Sequence, residues 1–529
     1  MKTVKRAVTL ALALVMLTAL VSGCGKKTGV TFTAAVVGQI TTLDPALATD
    51  PAEQIAVVNL YENLMKLRTA DNGTETVPAI ARSYRIEDHP DGTQTYVFTL
   101  RSDARWSDGR SVRAADFVYA WQHLVDPATA SPYAELLSMV SGYEQARQGD
   151  LSALGVTAEG GTTLRVELSC RCSYFLRTVC TSPATVPRRA DLENSVADGT
   201  VGNGAYRPGE RESGELTLTA SDRYYDARRL EVDTLRLLLC DTTEQAAALW
   251  DSGEADFACR MTDDAFFSES WTFEPYPRTT LLLVNQMAQQ LESRSLRQAL
   301  SLAIDRTALA GLPGGGLHVP AEGLIPYGIT VSDGSAFRLI EGACIDNSDY
   351  EASCIAAREL LGEIGMDPSA FGGLSILYAV SGINSDIAES IRDMWKEQLG
   401  ITVELRGVSA QEMETALSQG EFSVALYSWT GEINDPTAFL DMWRSGSIDN
   451  VALFHSSAYD ILLRAAAASS SSVARDAYLA DAEVLLMEQG NAIPLYFTRG
   501  GMALRSGWTA PTYDGMGVYR FDTVRRSGN

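Results

Sequence analysis

Asp386-Ile387-Ala388-Glu389-Ser390-Ile391-Arg392-Asp393-Met394-Trp395-Lys396-Glu397-Gln398-Leu399-Gly400-Ile401-Thr402-Val403-Glu404-Leu405 is the stretch that decides the fold class. Ile387, Ile391, Met394 and Trp395 recur three or four residues apart, the spacing of one helix face. Gly400 follows at the point where a helix needs a residue free to turn left-handed. Ile401 to Leu405 then alternates apolar and polar, the pattern of a strand with one buried face. A helix handed to a strand through a single glycine is the unit of an α/β layer.

Outward from it the same grammar repeats. Strands are expected at Leu374 to Tyr378 just before it and at Phe422 to Tyr427 just after, with Ile493 to Phe497 following a helix over Ala477 to Glu488. Upstream, Ser295 to Ala310 reads as one amphipathic helix, with Leu296, Leu300, Ala303 and Ile304 on a shared face. Strands are expected at Thr31 to Val37, Thr95 to Leu100, Leu164 to Leu168, Leu235 to Leu239 and Leu281 to Val284. Gln54 to Leu67 and Ala114 to Val125 read as helices, and Trp106-Ser107-Asp108-Gly109 as a tight turn. Strands and helices interleave throughout, so the fold class is α/β with mixed sheets. Gly314 to Gly316 is a flexible loop, and no internal repeat is visible.

The chain has 529 residues, 46% of them hydrophobic and 21% charged. That is a globular composition, too long for one core, so two to four lobes are expected. The formal net charge of −24 argues against a nucleic acid partner, which needs basic patches.

Lys2, Lys5 and Arg6 precede an uncharged apolar run, Ala7 to Val21, and then Val21-Ser22-Gly23-Cys24. This is the layout of a signal peptide. The run is shorter than a comfortable membrane span of about 20 residues. Small residues directly before a cysteine resemble a bacterial lipobox, which implies cleavage after Gly23 and lipid attachment on Cys24. Removing that segment takes the formal charge from −24 to −27. Beyond Cys24 there are seven cysteines, Cys170, Cys172, Cys180, Cys240, Cys259, Cys344 and Cys354. Cys170 with Cys180 and Cys344 with Cys354 are candidate loop closures, and an odd number leaves at least one thiol free. Four scattered histidines without CxxC or HExxH spacing give no metal site. No cofactor is expected.

Several stretches, in order, resemble the family 5 extracellular solute-binding proteins, the oligopeptide- and dipeptide-binding proteins of ABC importers. They are Thr42-Leu43-Asp44-Pro45 and Asn59-Leu60-Tyr61-Glu62-Asn63-Leu64, then Arg105-Trp106-Ser107-Asp108-Gly109 and Asp116-Phe117-Val118-Tyr119-Ala120-Trp121. Asp126-Pro127-Ala128-Thr129-Ala130-Ser131-Pro132-Tyr133-Ala134 is especially like the oligopeptide-binding members. Asn203-Gly204-Ala205-Tyr206, Tyr224-Tyr225-Asp226-Ala227, Ser252-Gly253-Glu254-Ala255-Asp256, Leu296 to Arg306, Leu399-Gly400-Ile401 and Trp429 to Leu440 complete the series.

The resemblance implies a type II periplasmic-binding-protein-like fold, a three-lobe clam with a hinged ligand cleft. It divides the chain into a signal peptide (1–23), an anchor, linker and start of the first lobe (24–61), a second lobe (62–192), a return to the first (193–278), a third lobe (279–499) and a last first-lobe segment (500–529). It implies a monomer, held by its lipid at the outer face of the cytoplasmic membrane or else periplasmic, that passes oligopeptides to permease subunits.

By the same resemblance, a carboxylate soon after a tryptophan holds the peptide ammonium, which places Glu432 in that role after Trp429. Burying an ammonium demands an opposite charge. Trp429 and Tyr133 match positions that wall the cleft, and Thr49, Pro51 and Arg260 match stretches that line it. Asp435 caps or orders the loop before Pro436. Two departures stand out. Leu426 occupies a position where some members carry an arginine for a ligand carboxylate. Arg278 and Thr430 occupy positions that some members join by a disulfide. The cargo therefore stays open: oligopeptide first, then a sugar, a metallophore or a signalling peptide. A secreted hydrolase is the reading of another class. It would lean on a pair such as Asp263-Asp264, but no GxSxG elbow or Cys-His pairing supports it.

Overall fold

The computed structural model describes residues 29–70, 73–192, 201–261, 271–312, 317–365, 373–469 and 471–528. The expected signal peptide and Cys24, the glycine run at 314–316 and the Asp263-Asp264 pair lie outside the described residues.

Strand β1 (Thr31–Val37) has five consecutive buried residues and sits inside a sheet. Helix α1 (Pro51–Leu60) begins at an Asp50 cap whose side chain accepts from the Ala52 N–H, with Glu53 closing a capping box and Pro51 in the first turn. Apolar spacing predicts that this helix runs to Leu67, but it stops at Leu60. The Asn203 amide accepts from Glu62 N at 3.1 Å and donates to Glu62 O at 2.9 Å, taking both backbone groups that a helix would use. Glu62 is fully buried against Arg520, 2.9 Å away. The chain therefore continues as a hairpin, β2 (Met65–Ala70) and β3 (Gly73–Pro78).

A four-stranded antiparallel sheet follows: β4 (Ala81–Asp88), β5 (Gln94–Leu100), β6 (Val156–Glu159) and β7 (Thr163–Leu168), in the order β4-β5-β7-β6. Helix α2 (Ala114–Val125) buries Phe117, Trp121 and Leu124 beside it. The expected turn is present, with Gly109 at φ +90°, a region that favours glycine.

The remaining large sheet has eleven strands. Its members are β1, β8 (Tyr206–Glu212), β9 (Glu215–Ala220), β10 (Thr234–Cys240), β11 (Phe257–Met261), β12 (Thr272–Val284), β13 (His318–Pro320), β14 (Ser375–Ala379), β15 (Glu404–Val408), β16 (Val424–Thr430) and β17 (Ala492–Leu504). The order is β15-β14-β16-β12-β17-β11-β1-β10-β9-β8, with β13 paired to β17. The two long strands β12 and β17 therefore join two halves of one mixed sheet. Their register shifts between Pro275 and Thr279, where Pro275 and Pro277 have no N–H to give. The boundaries expected at 278/279 and 499/500 fall inside these strands.

Alternation along β12 and β16 builds two cores. Leu281, Leu283 and Ala425 face one, while Leu282, Val284 and Leu426 face the other. Helix α3 (Asn384–Leu399), which follows β14, packs Ile387, Ile391 and Trp395 into the second core. Helix α4 (Ala410–Gln419), which follows β15, packs Met413 and Leu417 into the first. Successive connections thus leave the sheet on opposite faces.

Three further expectations need correcting. The single helix over Ser295–Ala310 is two, Arg294–Leu302 and Arg306–Ala310, because Asp305 turns out of the first to cap the second at Ala308 N. The strand expected from Ile401 is paired only from Glu404; Ile401 and Val403 are buried in the second core instead. All seven described cysteines are thiols, the candidate pairs included.

Candidate functional site

The site is built on the end of β16. Trp429 is anchored by its ring, whose Nε1 donates to Ala438 O at 2.7 Å. Gly431 follows, and a Cβ there would come within 2.7 Å of the Phe439 ring, so the chain passes only as glycine. Glu432 then begins a loop whose later residues are clamped. Asn434 Oδ1 accepts from Thr330 N at 2.8 Å, and its Nδ2 donates to Asp514 O at 3.2 Å. Thr330 Oγ1 also accepts from Arg177 Nε, 2.8 Å away on the segment after the four-stranded sheet. Asp435 accepts from Thr437 N and from Arg475 Nη2 at 2.7 Å. Asp435 does order the loop before Pro436, but chiefly as half of a buried ion pair.

Glu432 itself makes no hydrogen bond or ion pair among the described residues. Its side chain is exposed into a space between walls. Partial burial by those walls, with the charge of Asp449 behind it, raises its pKa. Two cavities share it. A small one, about 110 Å³, lies where Glu432, Asn434, Lys66, Arg177, Asp514 and Arg520 converge. A larger one, about 360 Å³, runs between Pro132–Met139 on one side and Trp429, Glu432 and Asp449 on the other. An unpaired carboxylate in a concave wall is suited to receive an ammonium.

The sequence-chosen residues divide. Glu432, Trp429 and Tyr133 come together on the larger cavity. The Tyr133 hydroxyl is already committed, donating to Ala48 O at 2.8 Å and accepting from Gln54 Nε2 at 2.7 Å. Its ring is therefore a wall held by α1. Burial, and more weakly the Glu432 charge, raises its pKa. Thr49 and Pro51 belong to the α1 cap, where Thr49 N donates to Glu53 Oε2 at 3.0 Å, and they line neither cavity. Arg260 lies on β11, and its side chain is outside the described part of the structure. Arg278 and Thr430 are ladder partners, as residues matching a cross-link should be.

Sequence reasoning missed Asp449, Lys66 and Asp514. Lys66 sat inside the over-long helix. Its amine is 3.0 Å from Asp522 and 3.8 Å from Glu62. Asp514 has its carboxyl pushed up to about 6 by burial, although Met516 N and Val518 N both donate to it. No spacing rule groups these residues with Glu432, because each comes from a different stretch of the chain and only the fold brings them to its two cavities.

Residues 75–450 match the model for bacterial extracellular solute-binding proteins, family 5, middle region. The chain belongs to this family. Among curated relatives, the Escherichia coli K12 periplasmic murein peptide-binding protein MppA is 28% identical over 476 residues, covering 87% of this chain and 86% of the relative. The oligopeptide-binding protein OppA of the same strain is 28% identical over 481 residues, covering 87% and 85%. The Bacillus subtilis dipeptide-binding protein DppE is 26% identical over 472 residues, covering 86% and 84%. The fold is that of the type II periplasmic binding proteins. MppA in its unliganded open form superposes with a TM-score of 0.82 at 26% identity, covering 94% of this chain and 98% of that one. A second structure of E. coli MppA scores 0.69 at the same identity and the same share of this chain.

Proposed function

We propose that this protein captures oligopeptides outside the cytoplasm and delivers them to the permease subunits of an ABC importer. The observation that carries the reading is the unpaired Glu432 carboxylate, set in the wall between lobes on a loop clamped on both sides. It receives the peptide ammonium. Trp429 and the Tyr133 ring wall the space around it. Relatives named for murein peptides, oligopeptides and dipeptides support a peptide cargo.

The lobes at 62–192 and 279–499 close on the remainder about the register shift at Pro275–Thr279, and ligand shifts the population toward the closed form. Lipid on Cys24 keeps the receptor near its permease, which raises effective concentration without stronger contacts. No helix of the described residues is long and apolar enough to cross a membrane.

The test is calorimetry with unblocked and N-acetylated peptides on the wild type and Glu432→Gln. Acetylation should weaken wild-type binding and leave the variant indifferent. Equal affinity for both forms in the wild type overturns the Glu432 role. Mass spectrometry of the incubated peptides adds a check on the reading as a binding protein, since cleavage products would favour a hydrolase.

A further inference from the structure

The larger cavity beside Glu432, about 360 Å³, holds more negative charge than one ammonium needs. Among the described residues, four carboxylates line it, Glu135, Glu432, Asp441 and Asp449, against one guanidinium, Arg444. Glu135 is committed, accepting from the Tyr143 hydroxyl at 2.7 Å. The side chains of Asp441, Asp449 and Arg444 make no hydrogen bond or ion pair among the described residues. Asp441 opens the short turn Asp441–Trp443, beyond the clamped loop that carries Glu432. Burial by the cavity walls raises its pKa, the Arg444 charge opposes that rise, and the Asp435 charge adds to it.

The facing wall carries a second, independent sign of a ligand. Thr178 lies on the single π-helical turn Phe175–Val179, is only 8% exposed, and lines both cavities that Glu432 shares. Its Oγ1 is buried without a hydrogen-bond partner. A buried hydroxyl left unpaired is costly, and single π turns inside helical segments recur at functional sites. Met139, Val179 and Met442 give the same space apolar surface.

We infer that this cavity selects peptides whose first residue carries a cationic side chain, with Asp441 as the countercharge of that side chain and Thr178 as a further acceptor. The inference rests on the proposed peptide function and names the preferred cargo. Glu432, backed by Asp449, takes the α-ammonium. That single cation together with Arg444 still leaves the lining negative, with Asp441 unpaired. A second positive charge on the same residue stays within one side chain's reach of Glu432, inside the same cavity. The methylene stem of a lysine or arginine lies along Met139, Val179 and Met442 while its head keeps to the polar groups. An ammonium has three N–H donors and a guanidinium five, so a carboxylate and a hydroxyl oxygen can both accept from one head group. A glutamate in the same place would bring a like charge to an acidic wall, which selects against it.

The experiment is calorimetric titration of the full chain with tetrapeptides that begin with lysine, norleucine or glutamate followed by three alanines, and with one of three alanines ending in lysine. Norleucine keeps the lysine stem and lacks its amine. Wild-type protein should bind the lysine-first peptide about tenfold to a hundredfold more tightly than the norleucine-first one, the range for one charged hydrogen-bonded contact. The glutamate-first peptide should bind weakest. Asp441→Asn should bind the lysine-first and norleucine-first peptides alike, and Asp441→Glu should recover part of the preference. Thr178→Val should narrow the preference and Thr178→Ser should keep it. If wild type binds the lysine-first and norleucine-first peptides equally, or if Asp441→Asn keeps the preference, the inference is wrong. The wild-type comparison requires no folded variant. Equal affinity for the peptide ending in lysine would show a general attraction to an acidic protein and overturn the site. Failure of every peptide to bind removes the peptide function itself, while peptide binding without a preference for lysine first removes only this inference.

Discussion

Arg475 Nη2 donates to Asp435 Oδ1 at 2.7 Å, both side chains buried, three residues beyond the carboxylate that faces the cleft. The guanidinium also lies 4.9 Å from the centre of the Tyr174 ring, which belongs to the other wall. The pair therefore holds the Glu432 loop and touches the facing lobe at once.

Removing one partner of this pair strands the other without water. Arg475→Ala should cost about 3–5 kcal/mol in stability, the range for breaking a buried pair, and weaken peptide binding as the loop loosens. Denaturant unfolding and calorimetry read the two effects. A variant as stable as wild type would show that Asp435 finds another partner.

Glu432 must be ionised to hold an ammonium. Partial burial and Asp449 raise its pKa, so affinity should start to fall at a higher pH than for an ordinary glutamate as the solution is acidified. Asp449→Asn should move that fall to lower pH, and Glu432→Gln should abolish the dependence. Titrations between pH 4 and pH 7 measure it, roughly the window above a glutamate's usual pKa.

Burial works against ionised Asp44, but the His123 ring 3.6 Å away and the hydrogen bond and charge of Arg188 win, bringing its pKa to about 2 from 3.8. Arg188 is 2.6 Å away. A depressed carboxyl stabilises the fold above its unfolded value and loses that contribution as pH falls toward the folded one. Asp44→Asn should therefore be less stable by about 2 kcal/mol at pH 7, with the gap closing from about pH 4 to pH 2. Unfolding midpoints across that range check the slope.

Asp514 has the opposite sign. Its carboxyl is pushed up to about 6 by burial, so ionising it costs stability as pH rises from about 4 through about 6. Asp514→Asn keeps an oxygen for the Met516 and Val518 N–H groups and should lose that slope. If the two proteins show parallel pH profiles, the carboxyl titrates normally.

The tether is testable by itself. Wild-type protein should fractionate with membranes and take up labelled palmitate, while Cys24→Ser should do neither.

The α/β class, β1 and α2 with their observed ends, and the glycine after α3 were legible because each is written in local periodicity and caps. The family resemblance was legible because its blocks keep their order. It brought out Glu432 and Trp429, whose neighbours are close in sequence. Helix α1 was read too long because its end depends on Glu62 meeting Asn203 and Arg520, 141 and 458 residues away.

By itself, the sequence determined the kinds of elements, their order, and which carboxylate follows Trp429. Tertiary structure alone decided that Asp449 stands beside that carboxylate, that the Tyr133 hydroxyl is already spent on α1, and that Asp441 and Thr178 line one cavity. The physical reason is range. Periodicity and capping act over a few residues, whereas a side chain's charge environment is set by whichever strands the sheet order brings next to it.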